Sequence, residues 1–421
     1  MFLPELLNLS EDISTFLPPR EIINLTIMNF RLIPAISATI ALCAPLSAQK
    51  FDNLAQTPPM GWNSWNIFHV NIDEQKIMAM ADIIVATGMK DAGYEYLVVD
   101  DGWEAMSRDE EGNLVPDPAK FPRGMKIVAD YVHSKGLKFG IHNCAGNKTC
   151  NGMPGGRGHE YQDARLYASW GVDYLKYDWC EHGTADARET YKTMRDALHA
   201  AGRPCVFSLC EWGENKPWLW ARDTGHLWRT TGDIRACRTC TGEWDMGWEI
   251  ILEKQADLAP YAGPGRWNDP DMLEVGNGLP ENEARAHFSL WCMLAAPLMA
   301  GNDLRTMTPQ TLKILTNREA IAIDQDVLGR QGTRFANQPG HQTWIKELAN
   351  GRWAICYYNS TTETGQFVAT WENMYFMDRS KTYAIRDIWA AKDLGTTATA
   401  ASVEFDIPPA DVVLLVLTPT K

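Results

Sequence analysis

The stretch WGVDYLKYDWCEHG, residues 170–183, holds a short apolar run at 174–177 that ends in Asp178, with a cysteine two positions further on. Read alone, it is a strand reaching its solvent-facing turn, where Asp is common. Seven further runs of the same kind stand at 60–62, 96–100, 138–142, 205–210, 228–231, 265–269 and 297–301. Between them lie segments with helical period, among them 73–90, 186–201 and 281–294. Eight strand candidates alternating with helices over roughly 280 residues is the arithmetic of a (β/α)8 TIM barrel. An open doubly wound sheet would need a Gly-rich phosphate turn after its first strand, and none follows Trp62. The fold class is therefore α/β, with the barrel over residues 53–331. After about Gly332 the texture changes to short strands separated by turn residues, at 343–345, 353–359, 366–369, 383–385 and 412–417. That pattern predicts a small antiparallel all-β sandwich domain over residues 332–421, without a catalytic cluster of its own.

The 421 residues carry a formal net charge of −14, which argues against nucleic acid or an anionic membrane as partner. Seventeen tryptophans are present. Large cores use Trp, but Trp faces also stack on sugar rings, so the count does not choose. Residues 1–48 read as an N-terminal extension and a signal peptide. From Met28, MNFRLIPAISATIALCAPLSAQ has a basic start, an apolar run and a small-residue end at Ser47-Ala48. Its apolar core is too short and too Pro-interrupted for stable membrane insertion. Cleavage after Ala48 is expected, giving a secreted or periplasmic protein; bulky Leu42 disfavours a lipid anchor on Cys43. Nine cysteines follow Cys43, an odd number that leaves at least one free thiol unless a partner is intermolecular. Cys237-Arg-Thr-Cys240 has the spacing of a redox pair or half a zinc site. No second CxxC exists, so a local disulfide or two free thiols are expected.

Barrel active sites lie at the C-terminal ends of the strands. Polar residues recur there: Asp100, Asp101, His142, Lys176, Asp178, Glu211, Arg229 with Asp233, and Asp269 with Asp271. Solvated loop charge explains one such end more easily than it explains the repetition. Carboxylates alone would suggest a divalent metal, but Lys176 and Arg229 offset their charge, so neither metal nor cofactor is expected. Two carboxylates opposed across a bound sugar is the arrangement of a glycosidase.

An ordered set of motifs narrows this further. Pro59-Met60-Gly61-Trp62-Asn63-Ser64-Trp65, Val99-Asp100-Asp101-Gly102-Trp103, Gly146-Asn147-Lys148-Thr149-Cys150 and Lys176-Tyr177-Asp178 come first. Cys210-Glu211-Trp212-Gly213, Trp228-Arg229 with Asp233, and Trp267-Asn268-Asp269-Pro270-Asp271-Met272-Leu273 follow. Together they resemble the α-galactosidase (melibiase) group, glycoside hydrolase family 27, from about Gln56 to the end. The resemblance implies a retaining exo-glycosidase acting on terminal α-galactosides of oligosaccharides or polysaccharides. It implies Asp178 as nucleophile and Asp233 as acid/base, with the two carboxyl groups about 5–5.5 Å apart. It implies Asp100 and Asp101 on the 6- and 4-hydroxyls, Lys176 on the 3- and 4-hydroxyls, and Glu211 and Arg229 on the 2-hydroxyl. Trp65 would be an apolar wall, Asp271 a support, and Cys150–Cys180 a disulfide. Two features depart from the pattern: His142 stands where many relatives have Tyr, and the CxxC loop after Asp233 is additional. His142 leaves room for a change of sugar, to α-N-acetylgalactosaminide or β-L-arabinopyranoside, although Glu211 and the Asp100-Asp101 pair argue against both. A catalytically silent carbohydrate-binding protein is the reading from another class, and the presence of both Asp178 and Asp233 speaks against it.

Overall fold

In the computed structural model, residues 49–420 are described, so the expected signal peptide lies outside the described residues. Six strands come first: β1 (Met60–Asn63), β2 (Tyr96–Val99), β3 (Lys138–Cys144), β4 (Tyr174–Asp178), β5 (Val206–Cys210) and β6 (Leu227–Arg229). A short ladder of β7 (Asp233–Arg235) and β8 (Asp245–Gly247) follows in a loop, and then β9 (Trp267–Asp269) and β10 (Leu298–Ala300). The sheet runs β10-β1-β2-β3-β4-β5-β6-β9, parallel throughout. Leu273, just past β9, bridges Ala300 and closes the circle. All eight expected strands are present within two residues of their expected limits.

The strands are buried on both faces, which is why they read as short apolar runs rather than alternating ones. Gly61 is obligatory in β1: a Cβ there would lie 2.3 Å from the Tyr96 carbonyl oxygen of β2. Helices cover the outside. The helix Ala187–Ala201 starts on Asp186, whose side chain accepts from the Glu189 amide at 3.0 Å, and stops at Gly202 with φ 78°. Its Tyr191, Met194, Ala197 and Leu198 face the barrel. The single helix expected over 73–90 is instead two, Glu74–Ala86 and Met89–Ala92, because Gly88 takes a left-handed φ of 79° between them.

The C-terminal part adds β11 (Thr333–Gln338), β12 (His341–Leu348), β13 (Arg352–Asn359) and β14 (Gly365–Thr370). Then come β15 (Tyr383–Asp387), β16 (Lys392–Thr396), β17 (Ser402–Ile407) and β18 (Asp411–Pro419). Six form one antiparallel sheet, β11-β12-β13-β18-β15-β16, and β14 pairs with β17 as a second layer. Alternation sorts the central strands: Ala354, Cys356 and Tyr358 face the barrel, while Ile355 and Tyr357 face the second core with Phe367 and Ile407. Among the described residues no helix is long and apolar enough to cross a membrane.

Candidate active site

On β4, side chains alternate, so Lys176 and Asp178 share the side that faces the barrel mouth. The register sets His142 of β3 opposite Lys176. Lys176 Nζ donates to Asp100 Oδ2 at 2.8 Å and lies 3.9 Å from Asp178 Oδ1. His142 Nε2 is 3.2 Å from Asp178 Oδ2. Burial alone would push the Asp178 carboxyl up, but Lys176 and His142 outweigh it and hold the group well below the usual carboxylate range. Burial would likewise lower the imidazole, yet Asp178, Asp100 and Asp101 raise His142 to about 9. A carboxylate between two cations is the result.

Across the mouth, β6 ends in Arg229. Its Nη2 reaches Asp233 Oδ1 at 2.9 Å and Asp271 Oδ2 at 2.8 Å, and donates to the Gly232 carbonyl at 2.9 Å. Asp233 opens β7, with its side chain 44% exposed. Although the side chain keeps contact with solvent, the protein packed around its carboxyl pushes it up; Arg229 opposes this, Asp271 and Asp178 add to it, and the net direction is upward. Asp271 is fixed by the Ile234 amide, which donates to its Oδ2 at 2.8 Å, and by an unusual φ of 81°.

Asp100 accepts from Asn63 Nδ2 at 2.7 Å as well as from Lys176. Asp101 Oδ2 accepts from the Asn151 side chain at 2.7 Å and its backbone at 3.2 Å. Glu211 Oε2 accepts from the Asn215 amide at 2.6 Å and side chain at 2.8 Å, while burial pushes its carboxyl up to about 7. Among the described residues, buried Asp101 Oδ1 and Glu211 Oε1 have no donor, leaving two acceptors for hydroxyl groups of a ligand. Trp65 and Asp233 both line a cleft of about 590 Å³ that opens outward. Cys150 and Cys180 are joined, S–S 2.03 Å, and Cys150 Sγ lies 3.5 Å from Asp178 Oδ2. Cys237 and Cys240 are joined too, so the alternative of two free thiols does not apply.

Asp269, at the end of β9, accepts from the Asp271 amide at 2.9 Å and lines a small cavity with Lys176 and Arg229, so all eleven polar and aromatic residues singled out from the sequence stand around the barrel mouth. Sequence reasoning missed Asn63, Asn151, Asn215 and Glu104. Asn63 and Asn151 were visible signals, one at a strand end and one beside a motif cysteine. Glu104 is buried, and its carboxyl is pushed far up by burial and by Asp101. Donor atoms of Asp101, Glu104 and His142 lie within 4.8 Å of one another.

This geometry has close parallels. Residues 57–326 match the family described as alpha galactosidase A, and residues 338–417 match the alpha galactosidase C-terminal beta sandwich domain. Alpha-galactosidase A of Cellvibrio japonicus is 51% identical over 386 residues, covering 89% of this chain and 95% of that protein. Alpha-galactosidase 3 of Arabidopsis thaliana is 46% identical over 375 residues, covering 88% and 84%. The crystal structure of alpha-galactosidase I from Mortierella vinacea superposes with a TM-score of 0.83 at 36% identity, covering 87% and 98%. With that likeness running through both the barrel and the sandwich, the chain belongs to the α-galactosidase family, glycoside hydrolase family 27.

Proposed function

We propose that Asp178 is the nucleophile and Asp233 the acid/base with which this α-galactosidase hydrolyses terminal non-reducing α-D-galactosyl residues. The observation that carries the assignment is the different company of the two carboxyls: buried Asp178 lies 3.2 Å from His142 and 3.9 Å from Lys176, whereas Asp233 meets the single cation Arg229 at 2.9 Å on the wall of the open cleft, and burial with Asp271 and Asp178 nearby shifts it upward. Asp178 attacks the anomeric carbon as Asp233 gives its proton to the departing oxygen. A glycosyl-enzyme forms with inverted configuration. Asp233, now a base, takes a proton from water, whose attack at the same carbon restores the α configuration and frees Asp178. Asp100, Asp101, Lys176, Glu211 and Arg229 grip the ring hydroxyls, and a sugar lacking one of them leaves a buried charge unpaired. Trp65 walls the pocket, and Asp271 holds Arg229 in place.

Asp233→Ala tests the assignment. It loses at least a hundredfold more kcat/KM on melibiose than on an activated aryl α-galactoside, because a good leaving group needs little protonation. Equal losses on both substrates would remove Asp233 from the acid role. Asp178→Asn is inactive on both, and proton NMR of the unaltered enzyme shows α-galactose as the first anomer released.

The chain divides into a catalytic barrel over 53–331 and a β domain over 332–421. Export follows from the signal pattern and fits a disulfide beside the site, which persists in oxidising compartments. The N-terminal mass of the mature protein, beginning at Gln49, checks it.

A further inference from the structure

Seventeen tryptophans lie in this chain, and one of them, Trp244, is exposed, at 75%. It sits in the additional loop after β6, on the wall of the 590 Å³ cleft that also contains Asp233 and Trp65. The loop is braced from several directions. The Asp233 amide donates to the Trp244 carbonyl at 3.0 Å, and the Gly242 amide to the Asp245 carbonyl at 2.7 Å. Cys237 and Cys240 are bridged, and their carbonyls accept from the Trp248 amide at 3.1 Å and the Gly247 amide at 2.8 Å. An aromatic face held in water on a tied-down loop, one hydrogen bond from the acid/base backbone, is a platform waiting for an apolar surface.

We propose that Trp244 forms a leaving-group subsite that takes a neutral hexopyranosyl ring, the sugar to which the galactose is attached. The stacking partner is the C–H face of that ring. The charges of the cleft decide its neutrality: Arg235 is paired with Asp245 at 3.0 Å and Asp303 with Arg305 at 2.7 Å. Glu274 accepts from Asn277 at 2.7 Å. Arg235, the arginine that lines the cleft, is thus already spent on Asp245, whereas the amide and carboxylate groups of the cleft suit hydroxyls.

The proposal rests on Asp233 being the acid/base, and the substrates are chosen to separate the two. α-Galactosyl fluoride has no ring in its leaving group; raffinose has a neutral one. Trp244→Ala lowers kcat/KM for raffinose at least tenfold more than for α-galactosyl fluoride, mostly through KM, and Trp244→Phe recovers most of the loss. Equal changes on both substrates, or no change on either, overturn the subsite. A wild-type preference for a uronate leaving group over raffinose overturns its neutrality. No turnover of α-galactosyl fluoride by the unaltered enzyme would instead sink the underlying mechanism.

Discussion

Asp178 and Asp233 have the same side chain and differ only in company. His142 is the residue that makes the difference largest, because it adds a second cation 3.2 Å from Asp178 where Lys176 alone would stand at 3.9 Å. A nucleophile must be ionised, so if Asp178 acts as proposed, the cations that hold its carboxyl low extend activity to acid pH. Replacing His142 by Gln, which carries no charge, moves the acidic limb of kcat/KM on an aryl α-galactoside upward by about one pH unit. An unmoved limb would show that His142 is neutral in the working enzyme. The sign for stability runs with His142 itself. Its pKa is raised to about 9 in the fold, against about 6.5 in an unfolded chain. The stabilisation is complete below about 6.5 and is lost as pH climbs through about 9. The melting midpoint of His142→Gln therefore falls less steeply between those values than that of the unaltered protein.

At the scale of elements, the disulfide Cys150–Cys180 ties the loops after β3 and β4 across a separation of 30 residues. It does more than shorten the unfolded chain, since Asn151 follows directly and holds Asp101 by two hydrogen bonds. A Cys150→Ser, Cys180→Ser double variant loses about 3–4 kcal/mol by the loop-closure argument. It also raises KM for galactosides more than it lowers kcat, as Asp101 loses its position. Calorimetry and initial rates check both, and an unaltered KM would confine the bridge to stability. The barrel strands were legible because each buried strand is a short apolar run that stops on a polar group, as 174–178 does. The ladder of β7 and β8 was not, because its residues are half exposed and its shape comes from the bridged CxxC and the Asp233–Trp244 hydrogen bond. Strand β16, KDLGT, is an edge strand facing solvent and lacks apolar alternation, so it too left no trace. Among the site residues, carboxylates and cations announced themselves at strand ends. Asn215 did not, for an amide in a loop carries no pattern until its partner, here Glu211, is placed.

For the whole molecule, the β domain brings no catalytic group to the mouth, yet it shares a core with the barrel. Trp344, Tyr358, Val412 and Leu414 are buried in the same cluster as Trp248 and Trp291, and Trp248 packs against Tyr358 with ring centroids 5.6 Å apart. Arg285, on the helix Glu281–Leu294, pairs with Asp411 of β18, Nε to Oδ1 at 2.9 Å. That same helix carries Trp291, whose indole N–H donates to the Asp271 carbonyl at 2.8 Å, and Asp271 holds Arg229. A continuous set of contacts thus runs from the sandwich to Asp233, the proposed acid/base. Two units that share one apolar core unfold together rather than in turn. Loss of α-galactosidase activity and loss of far-ultraviolet β signal should therefore coincide on heating. Trp344→Ala, a deletion of a fully buried indole on β12 of the sandwich, costs about 3–5 kcal/mol. It should shift both curves downward by the same number of degrees, leaving kcat at low temperature little changed. Two separated transitions, with the barrel still active after the sandwich has melted, would mean that the shared core does not couple them and that the barrel holds its mouth in shape alone.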